Sequence, residues 1–401
     1  MITDIELAGV ALDLAEVEWS VAIQHGRSDI TSAPQPSNAQ IVVRGSAGVN
    51  AEIADSLVIK AYGARRFTGE ISDVRITHLS AVPPVAVTTI TAIGNLSRVG
   101  QVVVGASGYP EETVFQRVDD VLTATGLTYL NGADTSVVLH QISSGNAAPT
   151  DALSYLTSVA EWTGATFYDD PEGRVVFESY GNRGITSFDG VWSSVFGTWA
   201  DNTVVWESFP VDRPTTQIPS NTVVFSPSWT RTRQTILNQV TVLGYNDSHE
   251  TTQSDSASIS AYGLREYRLT TEIKNSTDVV NRAGKIITAQ ANPLWSLGQI
   301  SILVHQLDTI PQEQILNLVS GMAVSLIDLP QPAPLGQFVG IVEGWSESYT
   351  PGEHILTLSL SDPRYSYETL TWGEVDPALE WGDVPAGLQW FEIITGSDLA
   401  A

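Results

Sequence analysis

Cysteine, basic residues and long apolar runs are absent from this sequence or scarce in it. The absence of cysteine excludes disulfides, thiolate metal sites and a cysteine nucleophile. Only 19 Lys and Arg residues stand against 45 Asp and Glu residues, which gives a formal net charge of -26. Because duplex DNA binding depends on basic side chains that neutralise phosphates, this balance argues against a DNA-binding protein. No stretch approaches the roughly 20 apolar residues of a membrane-spanning helix, so we expect no membrane span.

The residues that are present indicate a folded protein of more than one domain. The chain has 401 residues, of which 42% are hydrophobic, and this is enough for two or three domains with their own cores. The N-terminal segment 1–19 carries acidic residues and has no basic start. We therefore expect no signal peptide, and a protein made in the cytoplasm of the producing cell.

Motifs of known catalytic, metal and cofactor sites are missing from the sequence. None of the six histidines is spaced as His-x-x-x-His, and no G-x-S-x-G, G-x-G-x-x-G or P-loop motif occurs. The acid pairs Asp119-Asp120 and Asp169-Asp170 could act as glycosidase carboxylates, but adjacent acids on an exposed helix or turn are usually only solvated. We therefore expect no catalytic residue, no metal and no cofactor, and a protein that is not an enzyme.

Arg65 and Arg66 stand side by side in a chain with few basic residues. The pair could form an anion site. It could also lie in a turn as two solvated arginines, or form ion pairs with a neighbouring acidic chain. The second interpretation is favoured.

Strand patterns dominate the sequence, and we predict a mainly β protein with an α+β insert. Near the N-terminus, Val17, Trp19, Val21 and Ile23 alternate with polar residues, which is typical of a strand with one face in water. The predicted domains are a first small β-barrel domain at 1–100, an α+β insert domain at 101–188, strands and loops returning to the core at 189–235, a second small β-barrel domain with one helix at 236–364, and an extended C-terminal Trp-repeat segment at 365–401.

Three helices are predicted from capping signals. The Pro-Glu-Glu sequence at 110–112 predicts the start of the first, because proline suits a first turn and acids suit its dipole. The second is expected to begin at Thr150 or Asp151, and the third to span 277–292 with Thr277 as its N-cap.

An F-x-G-x-[IV] motif occurs in both β regions. It is carried by Phe67, Gly69 and Ile71 in the first region and by Phe338, Gly340 and Val342 in the second. Glycine inside a strand marks a bulge or a sharp bend, and such bends close small barrels. Gly69 and Gly340 are therefore predicted barrel bends, and the repeat predicts two related small barrels. A chance match of three positions remains the alternative.

The C-terminus repeats a Leu-x-Trp unit three times with a period of nine residues. The repeats comprise Leu370, Leu379 and Leu388 with Trp372, Trp381 and Trp390. Within a unit, the leucine and tryptophan share one face of a strand. Because so short a segment cannot bury three tryptophans by itself, we predict that these six residues dock on a partner chain or on another domain. Packing on the segment's own domain, or a platform that stacks sugars, is the alternative.

The order of a β unit containing ARRFTGEISDVRI, a two-helix insert, a second β unit and a Trp-repeat tail resembles the tail-tip or baseplate hub protein of long-tailed bacteriophages. The sequence SAYGLREY at 260–267 is similar to a stretch that is common in minor tail proteins of phages infecting actinobacteria. The resemblance covers nearly the whole chain, although no single motif is diagnostic.

This resemblance implies a structural virion protein located at the tail tip. In that family the hub is a homotrimer, and each subunit contributes two related tube barrels to a ring that joins the sixfold tail tube to threefold tip components. The ring would form part of the channel for genome ejection and would support host attachment. The implied partners are further copies of the chain, a distal tail or tube ring protein, the tape-measure protein and other tail-tip or receptor-binding proteins.

The net charge has a mechanical interpretation under this resemblance. If acidic side chains line the channel, they repel phosphates, so DNA passes without specific binding. A function of another class also remains open, namely a virion-associated or secreted carbohydrate-binding β protein that uses the Trp repeats.

Overall fold

The computed structural model describes most of the chain up to residue 362. The described residues are 2–13, 18–29, 32–45, 49, 51–81, 84–145, 148–179, 216–219, 228–247, 249–293, 295–297, 299–327, 329 and 338–362. The C-terminal Leu-x-Trp segment at 365–401 and most of 189–235 lie outside them.

Strands outnumber helices along the described chain. The strands are β1 (Ile2–Leu7), β2 (Val10–Ala11), β3 (Glu18–Gly26), β4 (Asn38–Gly45), β5 (Ser56–Ala61), β6 (Ala64–Ala81), β7 (Pro84–Ile93), β8 (Val103–Val104), β9 (Glu112–Thr113), β10 (Tyr129–Gly132), β11 (Val138–Leu139), β12 (Thr150–Asp151), β13 (Thr166–Asp169), β14 (Val175–Glu178), β15 (Thr216–Pro219), β16 (Trp229–Arg231), β17 (Gln239–Leu243), β18 (Glu250–Ser254), β19 (Glu266–Thr270), β20 (Trp295–Leu297), β21 (Ile300–Leu303), β22 (Ala323–Ile327), β23 (Phe338–Thr350) and β24 (Glu353–Ser361). The α-helices are α1 (Leu96–Val99), α2 (Val114–Thr125), α3 (Ala152–Thr163), α4 (Ser256–Tyr262), α5 (Ser276–Gln290) and α6 (Thr309–Leu316).

Twelve strands form one large sheet, so the protein is mainly β with an α+β insert, as predicted. The sheet runs β15-β22-β23-β3-β4-β7-β6-β5-β1-β2, with β24 paired to β23 and β21 paired to β24. We call β1–β7 the first β unit, and β15, β16 and β20–β24 with α6 the second β unit. Each has its own apolar core. The two units therefore share a continuous sheet.

The helices of the insert pack on two small sheets to form a third body, the α/β module (α1–α5, β8–β14 and β17–β19). One sheet has the order β10-β14-β13 and the other β18-β17-β19. Side chains from α2 and α3 share one apolar core with Val240, Leu269 and Ile286. These three residues come from the predicted second barrel at 236–364, so the module is built from two separate stretches of chain. The second β unit resumes only at β20.

Side-chain caps mark the starts of α2 and α3. The predicted start at 110–112 is wrong, because α2 begins at Val114 after Thr113, whose side chain forms a capping box with Gln116. The second start is confirmed, since Asp151 caps α3. The third helix spans Ser276–Gln290, close to the predicted 277–292, but its N-cap is Asn275, so the prediction of Thr277 as N-cap is wrong.

Candidate functional site

The F-x-G motifs occupy matching places in the two β units. In the first unit, β6 lies between β5 and β7, and Gly69 pairs with Leu57. In the second unit, β23 lies between β22 and β24, and Gly340 pairs with Val324. Both motifs thus lie on the middle strand of an antiparallel three-stranded segment.

A β-bulge follows each motif at the same distance. The pairing of β6 with β7 shifts between Ile71 and Asp73, and the pairing of β23 with β24 shifts between Val342 and Gly344. The bulges lie three residues beyond the glycines. Since bulges bend and twist the strand that carries them, equal placement gives both units the same bend.

The glycines themselves make room for the phenylalanine two residues earlier. A Cβ atom on Gly69 would lie 2.7 Å from Phe67 Cζ, and one on Gly340 would lie 2.8 Å from Phe338 Cε1. Real Cβ atoms do not approach heavy atoms so closely. Each ring therefore covers its glycine, which accounts for the F-x-G spacing. The barrel bends predicted at Gly69 and Gly340 stay predictions, and a bulge lies three residues beyond each glycine.

The two β units meet where β23 pairs with β3, and we call this contact the seam. Beyond its bulge, β23 leaves β22 and pairs with β3 from Gly344 opposite Gly26 to Tyr349 opposite Val21. A Cβ atom on Gly344 would lie 2.5 Å from the His25 carbonyl oxygen. The strands approach this closely because glycine stands at the crossing point.

The bulge residue Glu343 adds an ion pair to the seam. Its side chain is fully buried, and Arg27 Nη2 lies 2.7 Å from Glu343 Oε2. The Arg27 backbone N–H donates to the Glu343 carbonyl at 3.1 Å. A charged residue at a bulge thus fixes the end of β3 to the second β unit.

A second buried ion pair joins Arg66 of the first unit to Glu347, which lies in the seam. Arg66 Nη2 donates to Glu347 Oε1 at 2.7 Å and Arg66 Nε to both carboxylate oxygens at 3.1 Å. Trp345 Nε1 donates to Oε1 at 2.8 Å, and Tyr349 Oη donates to Oε2. His354 Nε2 lies 3.2 Å from Oε2. The carboxylate is therefore surrounded by donors.

Burial and pairing act in opposite directions on the Glu347 carboxyl group. Burial alone would raise the pKa of Glu347, but the Arg66 charge and the hydrogen bonds from Arg66 and His354 lower the pKa below its ordinary value. Burial lowers the pKa of His354. The Arg66–Glu347 pair thus stays charged in the core between the units.

Neither sequence interpretation of Arg65 and Arg66 identified the ion-pair partner of Arg66. Arg66 is 1% exposed and pairs with a glutamate of its own chain. Arg65 is exposed at the surface, 3.2 Å from Glu172 of the α/β module. The favoured interpretation is confirmed only in that Arg65 is exposed, because its ion pair is with its own chain and not with a neighbouring one. The alternation of Trp345, Glu347 and Tyr349 on one strand face was the signal that could have indicated a buried carboxylate.

Asp169 fastens the α/β module to the first β unit. Its carboxylate accepts hydrogen bonds from Ser37 N–H at 3.1 Å, Ser37 Oγ at 3.0 Å and Leu96 N–H at 2.6 Å. Asp169 and Asp170 are 1% and 5% exposed, so the prediction that this pair is solvated is wrong. Both carboxylates carry structural hydrogen bonds.

Asp169 should give the stability of the protein a measurable pH dependence. Burial raises the pKa of Asp169 to about 6, although hydrogen bonds from Ser37 and Leu96 oppose the shift. The folded state therefore holds this proton more tightly than the unfolded chain, and stability decreases as pH rises from about 4 to 6. We expect the unfolding free energy of the wild type, minus that of Asp169→Asn, to fall by about 3 kcal/mol across this range. Urea titrations at several pH values measure it, and a pH-independent difference would contradict the assignment.

Arg117 connects the two sequence-separated halves of the α/β module. It is fully buried on α2, and its Nη1 donates to Tyr155 Oη at 2.5 Å and to Glu272 Oε2 at 3.1 Å. Its Nε donates to Glu112, and its guanidinium lies 4.3 Å from the Tyr109 ring centre. Since Glu272 follows β19, this pair joins residues more than 150 positions apart.

The described residues offer no further predicted site. The docking residues Leu370, Trp372, Leu379, Trp381, Leu388 and Trp390 lie outside the described residues. Within the described part of the chain, no group of three or more His, Asp or Glu side chains could hold a metal ion. Nor is any helix there long and apolar enough to cross a membrane.

Comparison with known proteins gives matches in structure alone. No protein-family model and no curated protein sequence matches the chain. The 43 kDa tail protein of prophage MuSo2 from Shewanella oneidensis matches with a TM-score of 0.60 and 11% identity, over 91% of this chain and 99% of that one. A tail protein from Neisseria meningitidis MC58 matches with a TM-score of 0.60 and 13% identity, over 90% of this chain and 97% of that one.

A third match comes from a secretion system. The c3393 protein of E. coli, a type VI secretion component described as similar in structure to the T4 bacteriophage tail proteins gp27 and gp5, matches with a TM-score of 0.51 and 11% identity. The match covers 92% of this chain and 81% of that one. Taken with the two joined β units and the inserted α/β module, these matches show that the chain has the fold of phage tail proteins.

Proposed function

We propose that the protein is a non-enzymatic structural hub at the tip of a phage tail, in which three copies close into a ring of six related β units. The observation that carries the proposal is the seam: two units with matching motifs and bulges are joined edge to edge within one chain. The likeness to solved tail proteins extends over nine-tenths of the chain, which supports it.

The number of β units in each chain explains why three copies suit this role. A sixfold tail tube presents six equivalent positions, whereas tip components with threefold symmetry present three. A chain that carries two related units can occupy two positions of the sixfold ring, and three copies in a closed ring then match both symmetries. The proposed partners are a distal tail or tube ring protein above the ring, and tape-measure and receptor-binding proteins at the tip.

The charge of the protein suits a channel through which DNA passes. With a net charge of -26 per chain, a ring of three copies has a strongly negative field, which repels phosphates. Basic walls would form many salt-sensitive contacts and slow the DNA. We propose that acidic side chains line the channel, and that the C-terminal tryptophans Trp372, Trp381 and Trp390 dock on a tip partner. That the phage infects an actinobacterial host stays a prediction from the sequence.

Native mass spectrometry of the purified chain and of isolated tail tips tests the stoichiometry. We expect a species of three times the 43.1 kDa chain mass and three copies of the chain in each tail tip. A chain that remains monomeric when purified, and that is present in the tail tip in a number other than three, would contradict the proposal.

A further inference from the structure

We propose that the open edge of β6 at residues 73–78 binds β16 of a second copy of the chain, so that β6–β16 pairing closes the ring. This inference rests on the proposed trimer and specifies its interface. It follows from comparing one edge in the first β unit with the matching edge in the second.

The edge of β6 is left open beyond its bulge. β6 pairs with β5 only as far as Glu70, whereas it pairs with β7 as far as Ala81. Within the described residues, no strand pairs with the β5 side of β6 beyond this point. Six or more residues of strand edge therefore present unpaired backbone groups, which favours pairing with another chain.

The matching edge of the second β unit is occupied. Once the two motifs and their bulges are aligned, residues 73–78 of β6 correspond to 344–349 of β23. β22 ends on this side of β23 just as β5 ends on β6, and β3 then pairs with 344–349. By analogy with the seam, the strand that pairs with the open edge of β6 should be the counterpart of β3.

The side chains of Val74 and Ile76 along this edge of β6 are aliphatic and partly exposed, whereas their counterparts on β23 are buried. Trp345 and Glu347 are buried in the seam, at 3% and 2% exposure. Their counterparts Val74 and Ile76 are aliphatic, and Ile76 is 48% exposed. Leu79, further along the same strand, is 57% exposed. Exposed aliphatic residues along an unpaired edge are an aggregation risk unless another surface covers them.

The strand that corresponds to β3 in the second unit is β16. β3 pairs with β4, and β4 with β7. In the second unit β16 pairs with β20, which leads into β21, and β21 pairs with β24. Within the described residues, β16 pairs with β20 alone. Each copy therefore carries one open β6 edge and one open β16 edge, and different edges that bind each other head to tail can close a ring.

Burial fixes which face of β16 points inward, and strand pairing indicates its register. Trp229 of β16 is half-buried, 5.4 Å from the Phe338 ring, and so faces the core as Ile23 of β3 does. Trp229 pairs with the buried Leu297, as Ile23 pairs with the buried Ala39, so we take Trp229 as the counterpart of Ile23.

Ile23 pairs with Glu347, whose counterpart is Ile76. On this correspondence, Trp229 of one copy lies opposite Ile76 of the next. The neighbouring exposed residues Thr230 and Arg75 then form a pair, which matches the Gln24–Ser346 pair within the seam.

Engineered cysteines test this pairing, because the natural chain has none. Arg75→Cys with Thr230→Cys, treated with a short bis-maleimide, should give covalent dimers and trimers on a denaturing gel. The pair Gln24→Cys with Ser346→Cys reports the known seam and should crosslink within one chain, which leaves the monomer mass. Arg75→Cys with Arg268→Cys, whose second cysteine lies on β19 of the α/β module, should not link chains.

Ile76→Asp provides a second measurement that does not depend on crosslinking. A carboxylate opposite Trp229 should raise the concentration at which trimers dissociate by tenfold or more. Leu264→Asp, at an exposed leucine between α4 and β19 of the α/β module, should not. Trimers by mass without crosslinking at Arg75 and Thr230 would overturn the β6–β16 pairing and leave the proposed hub standing. A protein that forms no trimer in solution or in the tail tip would overturn the hub as well.

Discussion

Replacing Glu347 with glutamine is expected to destabilise the protein by about 3–5 kcal/mol, because it leaves the buried Arg66 guanidinium without a countercharge. Arg66 and Glu347 are 1% and 2% exposed, so water cannot solvate the remaining charge. Trp345 Nε1 and Tyr349 Oη also donate to this carboxylate. The free energy of unfolding from urea titration measures the loss.

An exposed glutamate on the adjacent strand provides the matched control. Glu353→Gln on β24 removes the same charge at the surface, and we expect a change of less than about 0.5 kcal/mol. A loss below about 1 kcal/mol for Glu347→Gln would contradict the role of the ion pair. The pKa of Glu347 lies below its ordinary value, so its contribution is present above about pH 4 and is lost in more acidic solution.

Gly344→Ala should disrupt the seam directly and destabilise the protein by about 1–3 kcal/mol. A Cβ atom at this position would lie 2.5 Å from His25 O, 2.6 Å from Arg27 O and 2.7 Å from Arg27 N. All three are backbone atoms of the opposite strand or the residue after it, so relief requires the strands to separate. Unfolding free energy measures the cost, and amide exchange in β3 should become faster than in the wild type.

The control for this substitution is Gly284→Ala on α5. Its Cβ would meet only the flexible side chain of Gln253, at 3.4 Å or more. Because alanine favours helix over glycine, we expect a gain of about 0.5–1 kcal/mol. An unchanged stability and unchanged β3 exchange in Gly344→Ala would mean that the seam is not tightly packed at the glycine crossing.

The repeated β unit could be predicted from sequence because its signal is local. Phe67 and Gly69 are two residues apart, and the same steric requirement, a ring that lies over a glycine, recurs at Phe338 and Gly340. The mainly β class follows from alternation along short strands in the same way. The bulges could not be predicted in this way, because each depends on pairing with a further strand, β7 or β24.

Features that depend on distant partners could not be predicted. Arg66 and Glu347 are 281 positions apart, and nothing near Arg66 in the sequence distinguishes a buried arginine from a solvated one. For the same reason, the sequence prediction assigned the two parts of the α/β module to different domains. Val240 and Ile286 belong to its core, but they follow a long intervening stretch and precede the strands of the second β unit. Capping signals predicted the helices, but they did not predict which β unit or module each helix packs against.

In the proposed ring, each chain supplies two like positions. Cryo-electron microscopy of the isolated tail tip, reconstructed without imposed symmetry, would show this arrangement. We expect three copies around a threefold axis, with six β units at about 60° intervals and β6 of each copy beside β16 of the next. A ring in which each copy places only one of its β units around the channel would contradict the proposal.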